Sequence, residues 1–324
     1  MNTDTNDKLA LGVDGGGTKS DAVLVDESGS VLGWGRGGST HYLFVGIPAA
    51  MEGYGEAIRM ALGDRRPREM WISGTPERIF EDPGIQVPEP HFVPADELSR
   101  GLAVALETQG IVVLAGTGAF VGAVTAGGGR LVLDGLGPVL GDYGSGYQIG
   151  LMGMRAAMAA SWTPERQSVL QHVVPRALEV PSLREIFDLV YVQQISRTRT
   201  ASAAKAVLKA AEDGDAVARR IILRAADDIS EVLADVIHCL HLEDSTCALT
   251  ASGGVAQNSR LYWDRVCENA LKLAPGLRPI RPRVKPCVGA ALLALRGMGV
   301  PWTPKLLARI EETQTPFLDQ WESH

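Results

Sequence analysis

The sequence predicts an α/β protein built from two related domains, and a repeated pattern of strands is the main reason. A strand, a glycine–threonine loop, a second strand, a turn and a third strand follow one another from residue 8 and again from residue 111. The two copies lie about a hundred residues apart, which is far longer than the period of a solenoid repeat. Stretches with apolar residues at helical spacing follow each copy. We therefore expect two domains that each begin with a three-stranded unit.

In the first domain, alternating Leu9, Leu11 and Val13 indicate a strand that ends at a glycine-rich loop. The turn at residues 27–30 separates the next two strands. An apolar stripe from Ile47 to Leu62 is typical of an amphipathic helix. Strands are predicted at 8–14, 22–26, 31–35, 69–73 and 91–93, and helices at 47–62 and 98–107.

The second domain repeats the three strands and then continues mainly with helices. The clearest helix covers 215–240, with Asp215 as its expected cap. Strands are predicted at 111–115, 120–124, 131–134 and 247–251, with a further helix from Asn258. The predicted boundaries are 1–110 for the first domain and 111–302 for the second. The tail, 303–324, is moderately amphipathic, and packing back on the first domain is one option for it.

Composition narrows the class of protein. The 324 residues carry a net charge of −7, which argues against nucleic acid as the partner because phosphate backbones require a basic face. The four cysteines are scattered without a CxxC pair, as expected for reduced thiols in the cytoplasm. No apolar run approaches the ~20 residues of a membrane helix, and the polar N-terminus is unlike a signal peptide. We expect a soluble, cytoplasmic protein without a membrane partner.

The first glycine loop follows the first strand directly. Successive glycines let backbone N–H groups turn toward one point and bind an anion. Asp14, at the end of the strand, is placed to hold Mg²⁺ through water, since this ion prefers oxygen ligands. Taken alone, the loop is explained equally well by a hairpin turn in which Asp14 bonds its own backbone. The residues predicted to bind nucleotide here are Gly15, Gly16, Gly17, Thr18 and Lys19.

A second glycine–threonine turn, Gly116, Thr117 and Gly118, stands at the equivalent point of the second copy. Two such hairpins suit phosphoryl transfer, which depends on positioned donors and Mg²⁺ rather than on covalent chemistry. The pattern is neither a Walker loop nor a Rossmann turn, because each loop leads into a strand. A third turn, at Ser252, Gly253 and Gly254, opens a helix and lets a nucleotide approach the backbone.

The ordered set DGGGTKSDAVLVD, IVVLAGTG, GDYGSGYQIG and LTASGGVAQN resembles the BadF/BadG/BcrA/BcrD ATPase group, which includes N-acetylglucosamine kinases. The resemblance spans roughly residues 9–297. It implies an actin-like ATPase fold with two ribonuclease-H-like domains flanking an ATP cleft, and ATP with Mg²⁺ as the cofactors. The first two loops would then hold the phosphates, and the third would hold the adenosine.

The resemblance also implies that Asp96 is the catalytic base that takes a proton from a sugar hydroxyl. From the residues alone, Asp96 is a good N-cap for the following helix, which is the commoner role of such an aspartate. Both roles remain open, and one residue can serve both.

The sugar site is implied less fully, because the sequence departs from the family pattern. His41 stands in place of an asparagine, Ala119 in place of a serine, Leu136 in place of a tryptophan and Tyr143 in place of an acidic residue. The phosphate-binding residues are therefore better supported than the identity of the sugar. The residues that correspond to sugar contacts are Ser39, Thr40, His41, Ser73 and Asp142.

Three functions follow from these observations. The first is an ATP-dependent kinase of a small amino sugar such as N-acetylglucosamine or glucosamine. The second is an activator ATPase of the same family, which would need cysteines to hold an iron–sulfur cluster. The third is a catalytically silent sugar- or nucleotide-binding regulator, although no basic DNA-binding region is evident. A homodimer is possible on general grounds only.

Overall fold

A computed structural model describes residues 8–322. Residues 1–7 of the predicted first domain and residues 323–324 of the predicted tail lie outside this described range. The strands are β1 Leu9–Gly15, β2 Ser20–Asp26, β3 Val31–Gly37, β4 Glu69–Ser73, β5 Glu89–Val93, β6 Gly110–Ala115, β7 Ala119–Val124, β8 Arg130–Asp134, β9 Ala248–Ser252 and β10 Arg278–Ile280. The helices are α1 Tyr42–Val45, α2 Ile47–Leu62, α3 Glu97–Ala103, α4 Gly146–Ala159, α5 Leu170–Ala177, α6 Leu183–Tyr191, α7 Arg197–Glu212, α8 Ala216–Cys239, α9 Gly254–Asn258, α10 Arg260–Leu273, α11 Pro286–Gly297 and α12 Pro304–Glu322.

The strands form two five-stranded mixed sheets with the same topology. The first sheet has the order β3-β2-β1-β4-β5, and the second, read in the equivalent direction, has the order β8-β7-β6-β9-β10. In each sheet the first strand pairs antiparallel with the second and parallel with the fourth. The predicted repeat of strand, glycine loop and strand is therefore confirmed, and both loops occupy the same position in their sheets.

The chain divides into two compact units. The first comprises the described residues up to Thr108 together with those from Pro282 onward, and the second comprises Gln109–Arg281. This differs from the predicted boundaries, which assigned residues 282–302 to the second domain. The reason is that α11 packs in the core of the first unit, where Cys287, Val288 and Ala291 are fully buried. Because α11 is apolar over most of its surface, the sequence gives little indication of its packing partner.

The sheet of the first unit is covered on both faces. Leu9, Leu11 and Val13 lie in one apolar cluster with residues of α2, as their alternation predicted. Ala10, on the opposite face of β1, lies in a second cluster with α11 and α12. Gly12 also faces α11, and a Cβ atom there would collide with the backbone of Cys287 and Ala291. The absence of a side chain at Gly12 is therefore what lets α11 pack directly on β1.

In the second unit, α8 follows its prediction within one residue at each end. The Asp215 side chain caps it by accepting hydrogen bonds from the N–H groups of Val217 and Ala218. The helix predicted from Asn258 is placed wrongly. A short helix already begins at Gly254, and Ser259 then caps α10 by accepting a hydrogen bond from the Tyr262 N–H.

The helix that follows Asp96 is shorter than predicted. The predicted helix 98–107 ends at Ala103, and Leu106 beyond it has a left-handed backbone conformation with φ of 60°. None of the helices described between residues 8 and 322 has the length and apolar character needed to cross a membrane.

The close approach at Gly12 predicts that Gly12→Ala strongly destabilises the first unit. The new methyl group would displace the α11 backbone, and overpacking of this kind typically costs ~1–3 kcal/mol. Urea unfolding measures this loss. Gly38→Ala is the matched control, because a Cβ atom there meets nothing within 4 Å. Equal stabilities for the two variants would contradict the packing described here.

Candidate functional site

The first glycine loop joins β1 to β2 as a tight hairpin. The Gly16 N–H donates to the Lys19 carbonyl at 3.0 Å, and the Thr40 N–H donates to the Gly16 carbonyl at 3.0 Å. The Gly16 N–H is therefore used within the turn, unlike in the predicted anion nest. A Cβ atom on Gly15 would collide with Thr40 Oγ1 and the Tyr54 hydroxyl. The loop is thus attached to the segment that follows β3.

The Asp14 carboxylate lies at the end of β1, beside a buried arginine. Its Oδ1 atom is 3.2 Å from Nη2 of Arg100, although 29% of the Asp14 side chain is exposed. Burial raises the pKa of Asp14 to about 6, and the positive charge of Arg100 opposes this rise. The site therefore holds a carboxylate that is poorly solvated and readily neutralised by a cation.

Lys19 lies across the hairpin from this carboxylate. Its Nζ atom is 3.5 Å from Asp21 Oδ2. Burial lowers the pKa of Lys19, whereas Asp21 raises it. The positive charge that was predicted for a phosphate is thus already partly balanced within the hairpin.

The predicted sugar contacts of the first unit lie at this same edge of its sheet. Ser73 ends β4, where it pairs with Gly12 of β1, two residues before Asp14. Its Oγ atom is buried and has no hydrogen-bond partner among the described residues. The Nδ1 atom of His41 is likewise buried without a hydrogen-bond partner among the described residues. The His41 ring packs on the Phe44 ring with 4.2 Å between centroids. Buried polar atoms without partners are costly, so these two atoms are candidates for contacts with a polar ligand.

Asp96 caps α3. Its Oδ1 atom accepts hydrogen bonds from the Ser99 N–H and the Ser99 hydroxyl, each at 2.7 Å, which completes a capping box. Asp96 itself is exposed. One turn later the same helix carries Arg100, the partner of Asp14. The structure thus brings the candidate base and the candidate metal ligand to one end of the first unit.

In the second unit, the loop of Gly116, Thr117 and Gly118 packs against Asp142. Asp142 is only 2% exposed, and its Oδ1 atom accepts a hydrogen bond from the Ala119 N–H at 3.1 Å. Its Oδ2 atom accepts a hydrogen bond from Arg197 at 2.5 Å. Burial raises the pKa of Asp142, whereas these two partners lower it.

Two helix starts meet the same loop. The first N–H of α4, at Gly146, donates to the Gly116 carbonyl at 2.7 Å, and the Tyr147 N–H donates to the Thr117 carbonyl at 3.2 Å. On the other side, Gly253 has a φ of 82°, and a Cβ atom there would lie 2.6 Å from the Ala115 carbonyl group. The predicted turn of Ser252, Gly253 and Gly254 therefore lies directly beside Gly116.

The predicted residues thus form two groups. Asp142, predicted among the sugar contacts, lies in the second unit beside Gly118, whereas the other four sugar candidates lie in the first unit. Leu136 and Tyr143, two of the departures from the family pattern, are exposed side chains. Sequence reasoning missed Arg100 and Arg197, because a single arginine in a helix has no distinguishing signal.

The fit of a metal ion depends on Asp14. Among the residues that the structure describes, no group of three or more His, Cys, Asp or Glu side chains is arranged to hold a metal. Mg²⁺ in nucleotide enzymes usually keeps several waters and takes one or two carboxylates together with substrate phosphates. A single poorly solvated carboxylate such as Asp14 fits that mode of binding.

Comparison with known proteins assigns the family. A model of the BadF/BadG/BcrA/BcrD ATPase family matches residues 89–294, which is more than half of the chain. The chain belongs to this family. Within curated proteins, it is 25% identical over 317 residues to an N-acetyl-D-glucosamine kinase of Dictyostelium discoideum, covering 89% of this chain and 98% of the relative. An N-acetylmuramic acid/N-acetylglucosamine kinase of Clostridium acetobutylicum is 26% identical over 186 residues, covering 57% of this chain and 61% of the relative.

Solved structures show the fold of this member of the BadF/BadG/BcrA/BcrD ATPase family. A candidate N-acetylglucosamine kinase of Porphyromonas gingivalis superimposes with a TM-score of 0.59 at 17% identity, covering 90% of this chain and 99% of the other. A ROK-family glucokinase of Streptomyces griseus, solved with glucose and AMPPNP, superimposes with a TM-score of 0.54 at 18% identity, covering 88% and 98%. These likenesses confirm the predicted actin-like α/β fold class.

The raised pKa of Asp14 predicts a pH-dependent effect of Asp14→Asn. Because the folded-state value of about 6 exceeds the ordinary 3.8, the folded protein binds a proton more tightly than the unfolded chain does. The stabilising contribution is complete below about pH 4 and is lost as pH rises through 6. The free energy of unfolding of the variant, minus that of the parent, should rise by about 1 kcal/mol from pH 5 to 8. Urea unfolding without Mg²⁺ measures this difference, and a constant difference would contradict the raised pKa.

Proposed function

We propose that this chain is an ATP-dependent kinase that transfers the γ-phosphoryl group of ATP to a hydroxyl of a small amino sugar. The observation that carries the proposal is the repeated glycine–threonine hairpin at the first turn of two sheets with one topology. Two such hairpins offer backbone donors for phosphates, which is what phosphoryl transfer requires of a protein. The names of the two curated relatives support the amino sugar as acceptor.

The roles follow from the chemistry of each residue. Gly15, Gly17 and Thr18 in the first unit, and the loop 116–118 in the second, would contact phosphate oxygens. The turn at 252–254 would contact the adenosine. Asp14 would hold Mg²⁺ through water, and the ion would supply positive charge to the phosphate oxygens. Ser39, Thr40, His41 and Ser73 would contact the sugar, for which the unpartnered Ser73 Oγ and His41 Nδ1 atoms are the support.

Asp96 would act as the general base. The sugar oxygen forms a bond to the γ-phosphorus, the bond from that phosphorus to the bridging oxygen of ADP breaks, and the hydroxyl proton passes to the Asp96 carboxylate. The capping box supports this role, because the hydrogen bonds from Ser99 fix the orientation of the carboxylate. Arg100, four residues later, links the same helix to Asp14.

The activator ATPase is the weaker candidate. Holding an iron–sulfur cluster requires thiolates, yet burial raises the pKa of Cys267 to about 12 and the pKa of Cys287 well above its ordinary value. Cys287 lies in the core of the first unit, whereas Cys239, Cys247 and Cys267 lie in the second. Neither the raised thiol pKa values nor the scattered positions of the four cysteines favour an iron–sulfur cluster.

The proposal predicts that Mg²⁺ and ATP together stabilise the protein against heat, since a ligand of the folded state raises stability by mass action. Asp14→Asn should remove most of that shift. Phosphorylation of a panel that includes N-acetylglucosamine, glucosamine and N-acetylmuramic acid, followed by ADP release, identifies the acceptor. Stabilisation by ATP without transfer to any sugar would favour the silent regulator, and no ATP effect at millimolar concentration would reject the kinase.

Asp96→Asn separates the catalytic role from the capping role. Asparagine remains a good N-cap, so the melting temperature should change little. Loss of the base should lower kcat by ~10²–10⁴-fold while ATP binding persists. Ser99→Ala is the comparison variant, because it breaks the capping box and costs ~1 kcal/mol of stability while it keeps the carboxylate. The Ser99 N–H still holds Asp96 Oδ1, so kcat should fall much less in Ser99→Ala than in Asp96→Asn. Near-normal turnover in a folded Asp96→Asn protein would leave Asp96 as a cap only.

A further inference from the structure

The side chain of Arg197 lies beside Gly118, and no role has been assigned to this cation so far. A Cβ atom on Gly118 would collide with Nη2 of Arg197 and would lie 2.8 Å from Oδ1 of Asp142. The guanidinium group therefore touches the last residue of the second glycine–threonine loop. Arg197 reaches this position as the first residue of α7, which is capped by Ser196 through a hydrogen bond from the Arg199 N–H.

Asp142 connects this guanidinium to the loop. One carboxylate oxygen accepts a hydrogen bond from Arg197 at 2.5 Å, and the other accepts one from the Ala119 N–H at 3.1 Å. Asp142 is itself held by Asp134, whose Oδ1 atom accepts a hydrogen bond from the Asp142 N–H at 2.7 Å. Both aspartates have left-handed backbones, with φ of 58° at Asp142 and 70° at Asp134.

This arrangement costs stability. A carboxylate that is only 2% exposed loses most of its hydration, and burial raises the pKa of Asp142 accordingly. Left-handed conformations of residues other than glycine add strain, which concentrates at functional sites. The protein thus maintains a costly pair whose effect is to fix one guanidinium against Gly118.

The guanidinium is also partly open. The Arg197 side chain keeps 24% of its surface exposed, whereas its partner carboxylate is almost completely enclosed. The planar group of arginine has five N–H donors, so it can bond a carboxylate with one edge and a phosphate with another. A partly exposed cation at a glycine loop suits the transfer of a phosphoryl group, whose charge is spread over its oxygens.

We propose that Arg197 binds a phosphate group of the nucleotide, and that Asp142 is the residue that positions its guanidinium. This inference rests on the proposed function, because it assigns one more ligand to the same nucleotide. It also gives Asp142 a positioning role beside the phosphate site, in addition to the sugar contact that sequence analysis predicted. The competing explanation is that Arg197 only neutralises the buried carboxylate.

The first measurement compares Arg197→Met with the parent by calorimetric titration of ATP, ADP and adenosine. Removing a charged hydrogen bond to phosphate should weaken ATP binding by about tenfold to a hundredfold. Affinity for adenosine, which has no phosphate, should stay within about twofold. Arg197→Lys keeps the charge without the planar group and should recover only part of the loss. Unchanged ATP binding in a folded Arg197→Met protein would overturn the proposal.

The second measurement separates phosphate binding from charge neutralisation. In the double variant Asp142→Asn/Arg197→Met, the buried charge is gone, and the side-chain carbonyl of the introduced asparagine can still accept the Ala119 N–H. If Arg197 binds phosphate, the double variant should bind ATP no better than Arg197→Met does. Recovery of ATP affinity in the double variant would show that neutralisation was the whole role. A parent protein that binds no ATP would reject the proposed function itself, which is a different outcome from either.

Discussion

The contact between α11 and β1 is the one on which the first unit depends. β1 is the central strand of its sheet, and α11 covers one face of it through residues more than 270 positions later in the sequence. The approach is possible only because Gly12 has no side chain to meet the helix backbone. Since Asp14 follows Gly12 by two residues, the same contact fixes the strand end that carries the candidate metal ligand. The segment from Gly12 to Asp14 therefore contributes both to the packing of α11 and to the candidate metal site.

Each unit also pairs a poorly solvated aspartate with an arginine at its glycine loop. In the first unit, Asp14 lies at the end of the strand that leads into the loop, and Arg100 comes from a helix. In the second unit, both Asp142 and Arg197 lie far from the loop in sequence. The sheets repeat, but the charged residues do not occupy equivalent positions. What such pairs contribute is preorganisation, since groups already desolvated and fixed need little rearrangement when a charged ligand arrives.

The sequence predicted those strands and helices whose pattern lies in neighbouring residues. The alternation in β1, the bounds of β4 and the apolar stripe of α8 were each readable from neighbouring residues. The placement of residues 282–302 was wrong because the partner of α11 is distant along the chain. The role of the Gly16 N–H was missed for a similar reason, since its hydrogen bond depends on how the turn closes. Arg100 and Arg197 gain their meaning only from the carboxylates that folding brings beside them.

The order of the chain has a consequence for synthesis on the ribosome. The polypeptide leaves the first unit at Thr108 and returns to it at Pro282, so the second unit is complete before the first one is. At a translation rate of ~5–20 residues per second, the strand β1 waits roughly 15–55 seconds for the helix that covers it. During that interval one apolar face of the nascent sheet lacks the cover of α11 and α12, and its apolar side chains remain open to solvent. A chain that stops shortly before residue 282 would lack α11 and α12 altogether, so the first unit could not bury this face.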